Sequence, residues 1–197
     1  MDTVLCSGDH AIMEWSIAFL TEFQSTSLYG GQLRNTPDPV MLAWKPPPHG
    51  TYKINTDAAF DGVGQVIGIG IVIQDESGNV IMASSSQRII ATYSPQVAEA
   101  VAVLRGLQLA CDTGLAPVVA ETDAAVVAKW ISEKTQLYSE VGLVIADILT
   151  LVHSMRCCSV DYVPRKANQV AHLLAKMALS NLEDLYWMED SPPCNHV

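Results

Sequence analysis

The sequence predicts an α/β domain built on a mixed five-stranded sheet flanked by helices, on three observations. Two-residue alternation begins at Thr51, and two further β-rich segments follow it, each set off by turn residues. Helical periodicity then takes over and alternates with short β-rich runs, the pattern of crossover units. The length of 197 residues suits one domain with some excess at the ends.

Each element has its own signal. In the first strand, from Thr51, Tyr52, Ile54 and Thr56 lie on one face and Lys53, Asn55 and Asp57 on the other. Asp61-Gly-Val-Gly64 turns the chain into Val66 to Ile73, and Asp75-Glu-Ser-Gly-Asn79 turns it into Val80 to Ser86, completing an antiparallel meander. Val97, Val101, Leu104 and Leu107 then mark a helix from Pro95 to Cys111, with Gly114 just beyond its end. A strand at Pro117 to Glu121, helices at Asp123 to Ser132 and Ser139 to Met155, a last strand at Cys157 to Val163 and a helix from about Ala167 to Leu179 complete the domain.

Outside that domain, residues 1 to 43 read as an appendage with one short amphipathic helix (Ile12, Trp15, Ala18, Phe19, Phe23) and a linker. The domain proper, 44 to 180, opens on Trp44-Lys-Pro-Pro-Pro48-His-Gly50, where three prolines forbid a helix or central strand. Residues 181 to 197 form an acidic, weakly structured tail.

Composition narrows the classes. Hydrophobic residues at 49% and charged residues at 16% are those of a packed protein, and no apolar run reaches the ~18 residues that span a bilayer, so no membrane association is expected. The N-terminus has no basic segment before its apolar stretch, so an intracellular, non-secreted protein is expected. Five cysteines without CxxC spacing argue against a zinc knuckle or a disulfide framework and for buried thiols. A net charge of −10 opposes tight autonomous binding to nucleic acid, although bound cations would offset part of it locally.

Three carboxylates stand in positions that one fold could gather: Asp57 late in the first strand, Glu99 in the first long helix, and Asp123 at the end of a later strand. Taken singly, Asp57 suits a strand-end turn, Glu99 a solvated helix position and Asp123 a helix N-cap. Gathered, they would concentrate enough negative charge to bind divalent cations.

With these residues in place, the chain resembles a type 1 ribonuclease H domain, in particular the plant form of retroelement-derived proteins. The resemblance rests on Lys53-Ile-Asn-Thr-Asp57, Gly68-Ile-Gly-Ile-Val-Ile, Ala98-Glu99-Ala100, Glu121-Thr-Asp123 and Val163-Pro-Arg-Lys-Ala-Asn168-Gln-Val-Ala171, in this order, over roughly Trp44 to Ser180. It implies endonucleolytic hydrolysis of the RNA strand of an RNA–DNA hybrid by two divalent metals, Mg²⁺ or Mn²⁺, held by Asp57, Glu99 and Asp123. Ser94, Gln96, Arg165, Lys166 and Asn168 are the expected nucleic-acid contacts, and a monomer is expected. Gly68 and Gly70 either admit a nucleic-acid backbone or allow close helix packing.

The chain departs from the family where a fourth acidic ligand is usual, since His172 stands there. An imidazole removes a negative charge and favours transition metals over Mg²⁺, so His172 is expected to join the site as a fourth catalytic and metal-binding group with impaired Mg²⁺ function, the alternative being a helix histidine with no part in catalysis. Ala124-Ala125 replaces a hydroxyl-bearing position, and Ile131 to Glu140 lacks the basic cluster of bacterial relatives. The alternative function is a catalytically inactive nucleic-acid-binding module of retroelement origin.

Overall fold

The computed structural model describes residues 44–61, 66–89, 94–155, 159–180 and 183–188. The expected N-terminal helix, the centre of the Asp61–Gly64 turn and the Cys157-Cys158 pair lie outside the described residues. Strands β1 (Tyr52–Phe60), β2 (Val66–Gln74) and β3 (Val80–Ile89) form the meander. Helix α1 (Pro95–Asp112), strand β4 (Val118–Thr122), helices α2 (Ala125–Ser132) and α3 (Glu140–Ser154), strand β5 (Ser159–Tyr162), helix α4 (Gln169–Ser180) and strand β6 (Leu185–Met188) follow. The sheet order is β5-β4-β1-β2-β3-β6, with β1, β4 and β5 parallel and the other pairings antiparallel.

The sheet therefore has six strands rather than the five expected. Leu185-Tyr-Trp-Met188, which sequence assigns to a weakly structured tail, pairs with β3 from Met82↔Met188 to Ser85↔Leu185. Acidic neighbours on both sides of this run (Glu183, Asp184, Glu189 and Asp190) dilute the β signal of its four apolar residues. Cys111 is also exposed on α1, contrary to the expectation of buried thiols.

Both faces of β1 and β2 are buried because helices cover both. On one face Ile54, Ile67, Ile69, Ile71 and Ile73 pack with Val103 and Leu107 of α1, Val127 and Ile131 of α2, and Ile145 and Ile148 of α3. Burial of each such side chain is worth ~1.5–3 kcal/mol, so this layer dominates stability. Gly106 of α1 sits directly over Thr56 and Ile54, which brings the helix close to β1. The chain divides into Met1–Lys45 and Pro46–Val197, and the second unit holds this sheet.

The opposite face is covered by α4 and is thinner. A Cβ built at Gly68 would lie 2.0 Å from the Ala175 carbonyl oxygen, and one at Gly70 would lie 2.0 Å from the Ala171 carbonyl oxygen and 2.4 Å from the Ala175 nitrogen. The two glycines therefore serve close helix packing, which settles the alternatives left open by sequence. Ser85 locks the same contact by donating to the Leu174 carbonyl at 2.9 Å. No helix among the described residues is long and apolar enough to cross a membrane.

Because the obstruction at Gly70 is backbone, α4 must move to admit any side chain. Gly70→Val is expected to lower stability by at least ~1–3 kcal/mol in urea denaturation; an unchanged midpoint would contradict this packing.

Candidate functional site

Parallel pairing of β1 with β4 sets up the site. The ladder runs to Thr56↔Thr122, so Asp57 and Asp123 stand side by side one residue beyond its last pair. Asn55 pairs with Glu121 on the same face, two residues earlier on each strand. Helix α2 begins at Ala125 rather than at Asp123, with Ala124 as a cap that has no side-chain hydrogen bond. Asp123 is thus left in the bend after β4, free to act in the site instead of capping the helix.

Glu99 arrives from helix α1. Ser94 caps α1, its hydroxyl accepting from the Val97 amide at 3.4 Å, and Pro95 starts the helix where its missing N–H costs nothing. This phase points Glu99 at β1, and ligand oxygens of Asp57, Glu99 and Asp123 all lie within 4.8 Å of one another. Asp57 is completely buried, and Asp57 Oδ1 and Glu99 Oε2 have no hydrogen-bond partner. Buried carboxylate oxygens without partners are costly and call for a bound cation or proton.

The electrostatics follow from that proximity. Burial, then the Glu99 and Asp123 charges, push Asp57 up to about 8, against a smaller opposing pull from Arg165. Burial and Asp123 push Glu99 up to about 7, partly offset by a hydrogen bond from the Ala58 amide and by Arg165. An all-oxygen donor set of this charge fits a hard divalent cation such as Mg²⁺.

His172, on the first turn of α4, does not join the three carboxylates as a fourth member of that cluster. Its Nδ1 lies 2.7 Å from Asp57 Oδ2, and Arg165 Nη2 lies 2.8 Å from Nδ1 and 2.9 Å from Nε2. The imidazole thus touches both the Asp57 carboxylate and the Arg165 guanidinium. A guanidinium set against the ring disfavours a protonated imidazole. Burial, then the charges of Arg165 and Lys176, likewise hold His172 below the usual histidine range.

Arg165 also donates from Nη1 to Asp123 Oδ2 at 3.0 Å. It sits on a short 3-10 turn, Arg165–Ala167, that precedes α4, so the last helix starts at Gln169 and not at Ala167. Lys166, Ser94 and Gln96 are exposed, and Gln96 lies one helical turn before Glu99. Asn168, expected among the nucleic-acid contacts, is instead wholly buried. Its amide nitrogen donates to the Thr56 carbonyl at 2.9 Å and to Asp123 Oδ1 at 3.3 Å, and its oxygen accepts from Asn55 at 3.3 Å.

Beneath the carboxylates lies a polar layer that sequence reasoning missed. Lys53 Nζ is 2.5 Å from Glu121 Oε1, both residues being buried, and Asn55 donates to Glu121 Oε2 at 3.0 Å. The available signal was Lys53, Asn55 and Asp57 alternating onto one face of a strand whose other face is apolar.

Comparison with known proteins adds a family and a fold. Residues 55–178 match the reverse transcriptase-like family. The chain is similar to RNase H1 from the halophilic archaeon Halobacterium salinarum NRC-1, at 22% identity and TM-score 0.61, covering 66% of this chain and 98% of that one. It is similar to the N-terminal RNase H domain of a Mycobacterium tuberculosis protein, at 22% identity and TM-score 0.59, covering 66% and 94%. LC11-RNase H1, isolated from compost and solved in complex with an RNA/DNA hybrid, matches at 24% identity and TM-score 0.57, covering 66% and 96%. At these identities the likeness shows a common fold. No curated protein matches the chain.

Two outcomes follow from the site's charges. Raised carboxyl values mean that the folded chain holds more protons than the unfolded one between about pH 4 and 8, so this contribution to stability is present at low pH and lost as pH rises through that window. With a chelator present, Asp57→Asn is expected to raise the melting temperature progressively relative to wild type as pH climbs from about 5 to 9; parallel curves would refute the assignment. Separately, Lys53→Met strands the Glu121 charge and is expected to cost ~3–5 kcal/mol in chemical denaturation, much of it recovered by adding Glu121→Leu.

Proposed function

The chain belongs to the reverse transcriptase-like family, and on that premise we propose that it is a divalent-metal-dependent endonuclease acting on the RNA strand of an RNA–DNA hybrid. The observation that carries this reading is the convergence of Asp57, Glu99 and Asp123 within 4.8 Å, with two of their oxygens buried and unpaired. Asp57, Glu99 and Asp123 would hold Mg²⁺ or Mn²⁺. Such an ion, when bound, activates water and stabilises the leaving 3′ oxygen of an in-line displacement.

The chain's own residues prepare the site for that chemistry. Burial of Asp57 and Glu99 makes each ionised carboxylate expensive without a cation, so the site gives up protons as it takes up metal. Asn168 fixes the Asp123 carboxylate against the end of β1 and acts as a positioning residue. Exposed Lys166, Ser94 and Gln96 border the site and supply polar contacts for phosphate or a 2′-hydroxyl. The protein works on nucleic acid.

His172 weakens this machinery. It replaces an acidic group by an imidazole and engages Asp57 Oδ2. The same contact favours a second reading, a non-cleaving hybrid-binding module that keeps the fold.

Cleavage of an end-labelled RNA–DNA hybrid separates the two. Slow cutting is expected, faster in Mn²⁺ than in Mg²⁺, lost by at least ~100-fold in Asp57→Asn and raised in His172→Asp, on the scale of removing a group that acts in the transition state. No cutting with either ion, even with the aspartate restored at 172, would favour the binding module.

A further inference from the structure

Resting on the metal-centre reading above, we infer that the guanidinium of Arg165 takes the charge position of a second metal ion, so that this site binds one divalent cation where the family resemblance implies two. Arg165 spans Asp123 Oδ2 at 3.0 Å and the His172 ring, 2.8 Å from Nδ1 and 2.9 Å from Nε2, the acid and the substituted ligand on the side of the site facing α4. A second ion there would have to displace the guanidinium from Asp123. It would then meet, in place of a fourth carboxylate, an imidazole whose Nδ1 lies 2.7 Å from Asp57 Oδ2.

Charge counting points the same way. Three carboxylates and one guanidinium sum to −2, which one divalent ion neutralises. Two ions would leave the site at +2 with the guanidinium retained, or +1 with it displaced, in a largely buried setting, where unbalanced charge is penalised far more than in water. Substituting histidine for the fourth acid removes the charge that a second ion needs, and Arg165 supplies a fixed cation in its place. Its guanidinium is mostly solvent-facing, with 60% side-chain exposure, so it holds this place through its two partners and not through burial.

The test is the stoichiometry of Mn²⁺ bound by the full chain, counted from the free-ion signal in electron paramagnetic resonance and from calorimetric titration. Asp57→Asn serves as the background for ions held elsewhere on an acidic surface. Wild type is expected to hold one Mn²⁺ above that background, and Arg165→Ala combined with His172→Asp is expected to double the count. Circular dichroism confirms that each variant is folded, and the wild-type count decides the matter if the double variant is not. Two ions on wild type would overturn the role of Arg165 and leave the metal centre standing. A count unchanged in the folded double variant would also overturn it. No ion above the Asp57→Asn background would remove both the inference and the centre on which it rests.

Discussion

Like charge held at close quarters governs this molecule. Asp57, Glu99 and Asp123 would repel one another apart if each hung on a flexible loop. They are instead fixed by the parallel β1/β4 pairing and by the capped start of α1. The price is visible in two buried carboxylate oxygens without partners and in two carboxyl groups held well above their usual range. A fold tolerates such a cost where a cation is to be bound, because metal affinity and proton release are then coupled.

Rigidity comes from the layer underneath. Lys53, Glu121, Asn55 and Asn168 form a continuous buried network across β1, β4 and the start of α4. Its last member reaches both the Thr56 carbonyl and Asp123, so the network sets the position of the carboxylates above it. The glycine-for-helix contact at Gly68 and Gly70 completes the frame by drawing α4, and with it His172, onto the sheet. Position 172 is therefore coupled to Asp57 by packing as well as by its hydrogen bond.

Much of this was legible in the sequence, for identifiable reasons. Alternation in Tyr52–Asp57, the Asp75–Asn79 turn and the periodicity of Val97–Leu107 are local signals, and the elements they mark lie within a few residues of where they were expected. The three carboxylates were legible because strand ends and a helix turn place them at predictable points. Partnerships that depend on tertiary register were not. Nothing local announces that Lys53 meets Glu121, that Asn168 is buried, or that His172 meets both Asp57 and Arg165. Strand β6 was missed for a different reason, since four apolar residues between acidic pairs gain their strand character only from the edge of β3.

The central claim is that Asp57, Glu99 and Asp123 together form a divalent-cation site. Anomalous diffraction from crystals grown with Mn²⁺ tests it most directly. The account predicts an anomalous peak enclosed by the three carboxylates, with Asp57 Oδ1 and Glu99 Oε2 turned towards it. Mn²⁺ found only elsewhere on the acidic surface, with nothing between these carboxylates, would contradict it.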